Sequence, residues 1–240
     1  MPSLNYAAPT TIPDAVKLLS GASGLAKVLS GGTDLLVQLR SGRLKPTLIV
    51  DTKKLPGIKG ITETDTGFTI GAATTGAEIG EHAGLCAAYP GVVEGTNLIG
   101  STQVQGRASL AGNLCNASPA ADSVPALIAA RAVCVLVGPD GRREVPVETI
   151  PVGPGRTSLQ PGEFVLEFRL PPRLPHAADA YLRLIPRTEM DIAVVGVGVN
   201  LTLDPDGRVR EASVALGAVA PTAVLAGEAG EALVLSLIHI

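Results

Sequence analysis

Aromatic residues are scarce in this 240-residue sequence, which has no tryptophan, three phenylalanines and three tyrosines. So few aromatic side chains exclude a base-stacking platform of the kind that single-stranded nucleic-acid binders use. The formal net charge of −3 also provides no basic surface for a phosphate backbone. We therefore predict that nucleic acid is not a partner.

Reactive and metal-binding side chains are also few. The three cysteines, Cys86, Cys115 and Cys134, form neither a CxxC pair nor a disulfide framework, which favours a reducing cytoplasm. We interpret all three as small buried hydrophobic residues. None of the three histidines has a Cys or His at metal-ligand spacing, so the sequence predicts no metal site.

Long apolar runs are missing as well. The most apolar windows are residues 123–138, which Arg131 interrupts, and residues 192–203, which are too few to span a bilayer. The N-terminus lacks a basic start followed by an apolar run, so no signal peptide is expected. The pattern predicts a soluble, cytoplasmic protein without a transmembrane segment.

The first quarter of the chain alternates helix and strand patterns. A helix is predicted over residues 13–19, a buried strand over 26–29, a second helix over 35–40 and a second strand over 47–51. This alternation of helices and strands is typical of a small α/β unit, and we expect the unit to end near residue 57.

Hairpin turns and short strands dominate after the first unit. We predict a clear strand over residues 163–170 and a helix over residues 220–233. The Pro-rich segment 171–175 marks a second boundary between units.

Residues 30–35, SGGTDL, join a predicted strand to a predicted helix through two glycines. A nest of backbone N–H groups at a helix N-terminus suits a phosphate group. An ordinary turn capped by Thr33 or Asp34 explains the same residues equally well. The stretch is not a Walker loop, since no Gly-Lys-Ser/Thr follows, and it lacks the third Rossmann glycine.

Residues 101–127, STQVQGRASLAGNLCNASPAADSVPAL, form a second stretch of small residues. We predict a glycine-bearing loop that leads into a helix over residues 122–131. Gly112 and Asn113 can expose main-chain donors, and Ser109 offers a hydroxyl group. Asp122 heads a predicted helix, where an N-cap role is the alternative. Two such loops can hold a dinucleotide pyrophosphate between them, which neither loop indicates alone.

Residues 71–75, GAATT, end a strand and begin a helix, and can contact the same ligand. A capping turn with Thr75 as N-cap is the alternative. Gly196 and Gly198 alternate with valines inside a strand pattern, so we interpret them as packing residues. Ser109 has no evident His or Asp partner and lies outside any GxSxG motif, and we predict no catalytic residue.

The order of four motifs resembles that of a known family. SGGTDLL, GAATT, SLAGNLCNASPAADSVPALIA and RTEMDIAVVGVGV occur as in the flavin-binding medium subunits of molybdenum hydroxylases, the xanthine dehydrogenase and aerobic carbon monoxide dehydrogenase group. The resemblance extends from residue 1 to about residue 228. Each loop alone is a weak signal, whereas both loops together with the DIA segment are specific.

This resemblance implies an α+β fold. A two-subdomain FAD-binding fold of the PCMH type is expected, followed by an incomplete α/β C-terminal flavoprotein domain. The expected domains are residues 1–57, residues 58–175 and residues 176–240.

The resemblance also implies the cofactor-binding residues. The loop of residues 30–35 is expected along the pyrophosphate and the second stretch opposite it, with Asp122 on the ribose or adenine side. Arg183 occupies the position where members often carry a Lys near the isoalloxazine. The full expected set is Ser30, Gly31, Gly32, Thr33, Asp34, Leu35, Ala72, Thr74, Ser109, Gly112, Asn113, Asp122 and Arg183.

The resemblance further implies that the chain binds FAD and transfers electrons within a larger complex. Iron–sulfur clusters are expected on a small partner subunit and the molybdenum cofactor on a large one, in a dimer of heterotrimers. A self-standing FAD-dependent oxidoreductase of the same fold, and an inactive truncated assembly fragment, are the alternatives.

The C-terminal residues depart from the family pattern. Members continue with a helical segment, whereas this chain reads GEALVLSLIHI at its end. We expect a coding sequence truncated from about Leu233, with a divergent apolar tail as the alternative.

Overall fold

The computed structural model describes residues 4–187, 190–234 and 236. These residues form three larger sheets, which draw on residues 5–51, 61–170 and 177–225 in turn, and one two-stranded sheet. The domain boundaries expected after residues 57 and 175 stay predictions. The expected truncation concerns a segment of which residues 235 and 237–240 lie outside the described part.

The first sheet is a small parallel one. Its elements are β1 (Asn5–Ala7), α1 (Ile12–Ser20), β2 (Ala26–Leu29), α2 (Leu35–Arg40) and β3 (Leu48–Asp51). The strand order is β1-β3-β2, with both pairs parallel. Thr11 begins α1 by accepting a hydrogen bond from the N–H of Asp14. The α/β unit predicted at the start of the chain is confirmed.

The second sheet is antiparallel and larger. Its stretch of chain contains the strands β4 (Ile61–Thr64), β5 (Gly67–Gly71), β6 (Val133–Gly138), β7 (Gly141–Pro146), β8 (Pro151–Gly153), β9 (Arg156–Thr157) and β10 (Phe164–Leu170). The strand order is β4-β5-β10-β6-β7, while β8 and β9 pair with each other. Phe164 and Phe168 of the central strand β10 are fully buried, which places the main core against this sheet.

Six helices lie between β5 and β6. They are α3 (Gly76–Glu81), α4 (Ala83–Ala88), α5 (Pro90–Asn97), α6 (Thr102–Gln105), α7 (Leu110–Asn116) and α8 (Ser123–Ala129). The prediction of a glycine-bearing loop is wrong for residues 101–121, because α6 and α7 lie there, whereas the helix predicted over residues 122–131 is confirmed by α8. Ser109 begins α7 by accepting a hydrogen bond from the N–H of Gly112, and the left-handed Ala117 ends it.

The third sheet lies at the end of the described chain. Its elements are β11 (Ala177–Leu184), β12 (Val195–Leu203), β13 (Val209–Gly217), β14 (Val224–Leu225) and α9 (Gly227–Leu233). The strands follow one another in antiparallel order. The helix predicted over residues 220–233 is wrong in its first half, because Val224 and Leu225 pair with the free edge of β13 instead.

Helices α5 and α8 join the second and third sheets by packing against one face of the third. A Cβ atom added at Gly198 would lie 2.5 Å from the carbonyl oxygen of Pro125 in α8, and one at Gly196 would overlap the hydroxyl of Tyr181. The interpretation of Gly196 and Gly198 as packing residues is confirmed. In the described part of the chain, no helix has the length and apolarity that a membrane span needs.

Candidate cofactor-binding cleft

A cleft of about 570 Å³ separates the first parallel unit from α7 and from the segment that leads into β10. Sites for drug-sized ligands and cofactors commonly have volumes of about 300–1,000 Å³. Residues 30–35 form one wall and residues 108–116 contribute the facing one. The two small-residue stretches singled out in the sequence therefore meet across one cavity.

The first wall follows directly from the end of β2. Gly32 has φ +83°, a left-handed conformation that glycine adopts without strain and that turns the chain into α2. Among the described residues, the backbone N–H groups of Gly31, Gly32, Thr33 and Asp34 donate to no carbonyl or side chain. Asp34 stands at the N-cap position of α2 but makes no capping hydrogen bond. The loop thus keeps several donors free at the cleft.

Gly31 lets the two walls come together. A Cβ atom at this position would overlap the carbonyl oxygen of Arg107, which precedes the second wall. The backbone approach that the small residue permits is therefore an approach to the protein's own chain. The hydroxyl groups of Ser30 and Ser109 lie 2.8 Å apart, and the Gln38 amide donates to Asn116 Oδ1 at 3.0 Å.

The second wall is the first turn of α7. The Ser109 hydroxyl accepts a hydrogen bond from the N–H of Gly112 at 3.2 Å. A Cβ atom at Gly112 would have one close neighbour, that hydroxyl at 3.3 Å, so this side of the helix is open toward the cleft. Asn113 also lines the cleft, and its Oδ1 accepts a hydrogen bond from the Ser123 hydroxyl at 2.7 Å.

Charged side chains contribute little positive potential to the cleft. Its charged lining residues are Lys27, Asp34 and Glu163. The hydrogen bond from Arg143 lowers the pKa of Glu163, which keeps that carboxyl ionised, whereas burial raises the pKa of Asp34. An anionic ligand in this cleft must therefore be stabilised mainly by backbone N–H groups, which suit phosphate oxygens.

Two further groups shape the cleft. Lys53 Nζ donates to the carbonyl oxygen of Ser30 at 3.3 Å and to Asp51 Oδ2 at 2.8 Å, which holds the first loop in place. Cys115 lines the cleft wall, and burial raises the pKa of its thiol to about 12. That thiol is protonated at neutral pH, in keeping with the packing role we expect for it.

Ten of the thirteen residues expected at the cofactor line this cleft. They are Ser30, Gly31, Gly32, Thr33, Asp34, Leu35, Ala72, Ser109, Gly112 and Asn113. Thr74 lies behind it, where its hydroxyl contacts the backbone N–H and carbonyl of Gly60 at 3.0 and 3.1 Å. Thr75 caps α3 in a capping box with Glu78, which confirms the capping alternative for that position.

Asp122 and Arg183 meet each other away from these walls, between α8 and the third sheet. Asp122 Oδ1 accepts a hydrogen bond from the Tyr181 hydroxyl at 2.9 Å, and Oδ2 forms an ion pair with Arg183 Nη1 at 2.8 Å. Burial raises the pKa of Asp122, although Tyr181 and Arg183 favour its ionised form. Asp122 makes no capping hydrogen bond to α8, so the N-cap alternative is not formed.

Arg183 is a buried cation with several partners. Its Nη1 also contacts the carbonyl oxygen of Leu98 at 3.3 Å, and its side chain is 6% exposed. Its buried Nε has no hydrogen-bond partner within the described residues. Whether Thr74, Asp122 and Arg183 contact a cofactor stays a prediction, as does the role of each cleft residue.

Sequence reasoning did not find one side of the cleft. Residues 157 and 159–165, at and after β9, line it together with residues 19, 20, 22 and 24–28, which surround the start of β2. These residues carry no recognised sequence motif. The turn at Gly162, with φ +87°, is the one local signal in that segment.

The cleft joins two small-residue walls and several unpaired N–H groups. Together these features are those of a protein that binds a diphosphate-containing cofactor. A Cβ at Gly112 would reduce that space, and the free donors of residues 31–34 match the charge of a diphosphate, so the residues present fit FAD.

Comparisons with known proteins identify the family. The family model of the FAD binding domain in molybdopterin dehydrogenase matches residues 2–173, and that of the CO dehydrogenase flavoprotein C-terminal domain matches residues 180–236. The chain is 33% identical over 222 residues to a putative xanthine dehydrogenase FAD-binding subunit from Escherichia coli, with 92% of this chain and 75% of the relative covered.

A carbon monoxide dehydrogenase medium chain from Hydrogenophaga pseudoflava is 32% identical, with 93% of this chain and 77% of the relative covered. A solved structure of the carbon monoxide dehydrogenase from the same organism superposes with a TM-score of 0.93 at 32% identity, covering 99% of this chain and 82% of the matched chain. The chain belongs to the FAD-binding subunits of the xanthine dehydrogenase and carbon monoxide dehydrogenase family. It is an oxidoreductase subunit that carries the FAD-binding domain, and the expected α+β fold class is confirmed.

Proposed function

We propose that this chain is the electron-transfer subunit of a molybdenum-dependent hydroxylase or dehydrogenase. In this function it receives electrons from iron–sulfur clusters on a partner subunit and delivers them, through FAD, to an external acceptor. The observation that carries the proposal is the pairing of residues 30–35 with the first turn of α7 across one cleft, fixed by the 2.8 Å contact between Ser30 and Ser109.

The chain's own residues hold the cofactor in this proposal. The N–H groups of residues 31–34 donate to the diphosphate, and Gly112 leaves room beside them. FAD, when bound, supplies a ring system that accepts and releases electrons, and the protein supplies binding, orientation and electrostatic surroundings. Ala72 and Ile99 contribute apolar side chains to the lining of the cleft.

Asp122 and Arg183 add fixed charge near the junction of α8 and the third sheet. We assign them to the cofactor's surroundings because the buried Arg183 Nε has no partner among the described residues, and because the side chains of Arg183 and Asp122 are 6% and 11% exposed. A buried guanidinium keeps its positive charge at all ordinary pH values. Its role is to hold Asp122 ionised and in a fixed orientation.

The cysteine count supports the proposal of partner subunits. A single iron–sulfur cluster is held by four cysteine thiolates in most proteins, whereas this sequence has three, and Cys86, Cys115 and Cys134 are free thiols. We therefore place the iron–sulfur clusters on a small partner subunit and the molybdenum cofactor on a large one. The assembly is a dimer of heterotrimers in the cytoplasm.

Co-purification with the partner subunits tests this function. The chain, co-expressed with the neighbouring iron–sulfur and molybdenum subunits, is expected to carry one FAD, and the flavin absorbance at about 450 nm should bleach when the complex receives its reducing substrate. A folded, complete complex without flavin contradicts the proposal. A chain that binds FAD and turns over a substrate by itself identifies the self-standing oxidoreductase instead.

A further inference from the structure

The carbonyl groups at the end of β2 are held by the chain at the end of β3. The carbonyl oxygen of Leu29 accepts hydrogen bonds from the Thr52 N–H at 3.2 Å and from the Thr52 hydroxyl at 3.3 Å. The next carbonyl oxygen, that of Ser30, accepts one from Lys53 Nζ at 3.3 Å. Two consecutive residues of one segment therefore hold two consecutive carbonyls at the start of the first cleft wall.

Lys53 is itself held by Asp51. Its Nζ donates to Asp51 Oδ2 at 2.8 Å, and its backbone N–H donates to Asp51 Oδ1 at 3.0 Å. The Tyr6 hydroxyl in β1 donates to the same Oδ2 at 2.6 Å. Burial raises the pKa of the Asp51 carboxyl, but the hydrogen bonds from Lys53 and Tyr6 outweigh burial and hold that pKa below its usual value. Asp51 is therefore an ionised group that fixes the position of the Lys53 ammonium.

The contact with Lys53 also sets the direction of the next backbone N–H group. The Ser30–Gly31 peptide is trans, so its carbonyl and its N–H point in opposite directions. Its carbonyl is directed at Lys53, which does not line the cleft, whereas Ser30 and Gly31 both line it. The Gly31 N–H, which donates to no group among the described residues, is directed away from Lys53.

Without this contact the same peptide could reverse. Gly31 has no Cβ and tolerates a wide range of backbone dihedral angles, so rotation of the Ser30–Gly31 peptide costs little there. In the reversed orientation the Ser30 carbonyl would replace the Gly31 N–H and would repel a phosphate group. A hydrogen bond from an ammonium is roughly twice as strong as a neutral one. The Lys53 contact therefore stabilises the orientation in which the N–H is available to an anion.

We propose that Lys53 is a positioning residue for the cofactor, because it holds the Ser30–Gly31 peptide with the Gly31 N–H directed at the diphosphate. Asp51 and Tyr6 in turn hold Lys53 in place. Lys53 acts through this peptide and does not contact the ligand itself. The inference rests on the proposed function and deepens it, since it explains how one phosphate donor keeps its orientation in a glycine-containing loop.

Flavin fluorescence titration of the full chain with FAD tests this role. Lys53→Met retains a long side chain but removes the ammonium, and it should weaken FAD binding by roughly 10- to 100-fold. Lys53→Arg can still donate to both Ser30 and Asp51 and should bind FAD within about threefold of wild type. Lys54→Met is the matched control, because Lys54 is the exposed neighbour with the same charge. It should also stay within about threefold of wild type.

Phosphorus NMR of bound FAD distinguishes positioning from a general loss of structure. With Lys53→Met saturated with FAD, at least one diphosphate resonance should shift from its wild-type position, because a phosphate oxygen loses its donor. Lys54→Met should retain the wild-type resonances. Tyr6→Phe provides a second variant in case Lys53→Met does not fold, since it removes one hydroxyl from a residue that is 61% exposed. It should weaken FAD binding by about two- to fivefold.

Unchanged FAD affinity and unchanged phosphorus resonances in Lys53→Met would overturn the inference and leave the proposed function intact. An equal loss of affinity in Lys54→Met would also overturn it, because net charge alone would then explain the effect. The proposed function fails in a different way. A wild-type chain that binds ADP but not FAD would contradict that function, and a Lys53→Met variant that binds ADP roughly 10-fold more weakly would still support the positioning role.

Discussion

The hydroxyl groups of Ser30 and Ser109 lie 2.8 Å apart although 79 positions separate them in the sequence. Each serine begins one wall of the cofactor cleft, and Ser109 also caps α7 by accepting a hydrogen bond from Gly112. The contact therefore links the geometry of the first loop to the first turn of the second wall. Substitutions in either wall should affect flavin binding through this shared geometry.

Gly112→Leu should weaken FAD binding by roughly 100-fold, because its side chain projects into the open space of the cleft. The fold should be retained, since glycine is the poorer residue inside a helix. Flavin fluorescence titration gives the dissociation constant, and thermal unfolding without FAD checks the fold. Gly106→Leu is the control, because Gly106 is exposed and outside the cleft. Equal affinity in the two variants contradicts the assignment of α7 to the cleft wall.

Gly31→Ala should reduce both stability and flavin binding. The added Cβ overlaps the carbonyl oxygen of Arg107, so the two walls must separate. Overpacking of this kind costs about 1–3 kcal/mol. Urea unfolding without FAD measures the loss, and Gly227→Ala, with open space around its Cβ, serves as the control. If Gly31→Ala is as stable as Gly227→Ala, the close approach of the two walls is not present in solution.

Arg183→Gln should destabilise the chain by about 3–5 kcal/mol, because Asp122 is left as a buried carboxylate without its counter-charge. Asp122→Asn in the same chain should restore part of that loss. Urea unfolding of the two single variants and the double variant gives the coupling energy. Arg187→Gln removes an exposed ion pair with Asp191 and should leave the unfolding midpoint unchanged. An unchanged urea unfolding midpoint in Arg183→Gln would contradict a stabilising ion pair between Asp122 and Arg183.

Asp179 should make stability depend on pH. Burial raises its pKa to about 6, against the opposing charge of Arg173 and the N–H groups of α5. The pKa of Asp179 in the folded chain lies above the unfolded value of about 3.9. The contribution of Asp179 to the free energy of unfolding is therefore fully present below the unfolded pKa and is lost as pH rises through about 6. Relative to Asp179→Asn, the free energy of unfolding of the wild type should fall by about 2 kcal/mol between pH 4.5 and pH 7.

Urea unfolding at intervals across that pH range measures the difference. Asp140→Asn is the control, because it makes the same charge change at an exposed turn residue and should retain the wild-type slope. A parallel pH dependence in wild type and Asp179→Asn contradicts a raised pKa at this site.

Local patterns predicted the regular elements at the start of the chain. The bounds of β2 and α2 agree with the strand and helix predicted over residues 26–29 and 35–40. These elements depend on side-chain periodicity and on the glycine and proline residues that end helices and strands. Both signals are present in a short stretch of sequence. β14 was missed because it forms by pairing with an edge of β13, and pairing is not a property of the segment itself.

The candidate cleft was predictable in its small-residue walls and unpredictable in its remaining side. Residues 30–35 and 109–113 can be recognised in the sequence by their glycine and serine content. Residues 157 and 159–165 line the same cavity with no motif, because only the tertiary fold brings the segment between β9 and β10 to the cavity that β2 also lines. Gly31 was expected along the pyrophosphate, whereas the close backbone approach that it permits is to the carbonyl oxygen of Arg107.

The sequence by itself determined the family, the α/β start of the chain and the two glycine-bearing walls, because these depend on residue type and order. Tertiary structure decided that Asp122 pairs with Arg183 and Tyr181, and that Leu182 and Leu184 of β11 face outward. Period-two alternation defines the two faces of a strand but does not say which one meets a helix. That choice is made by packing across elements distant in sequence, as when Gly198 lets α8 pack closely against β12.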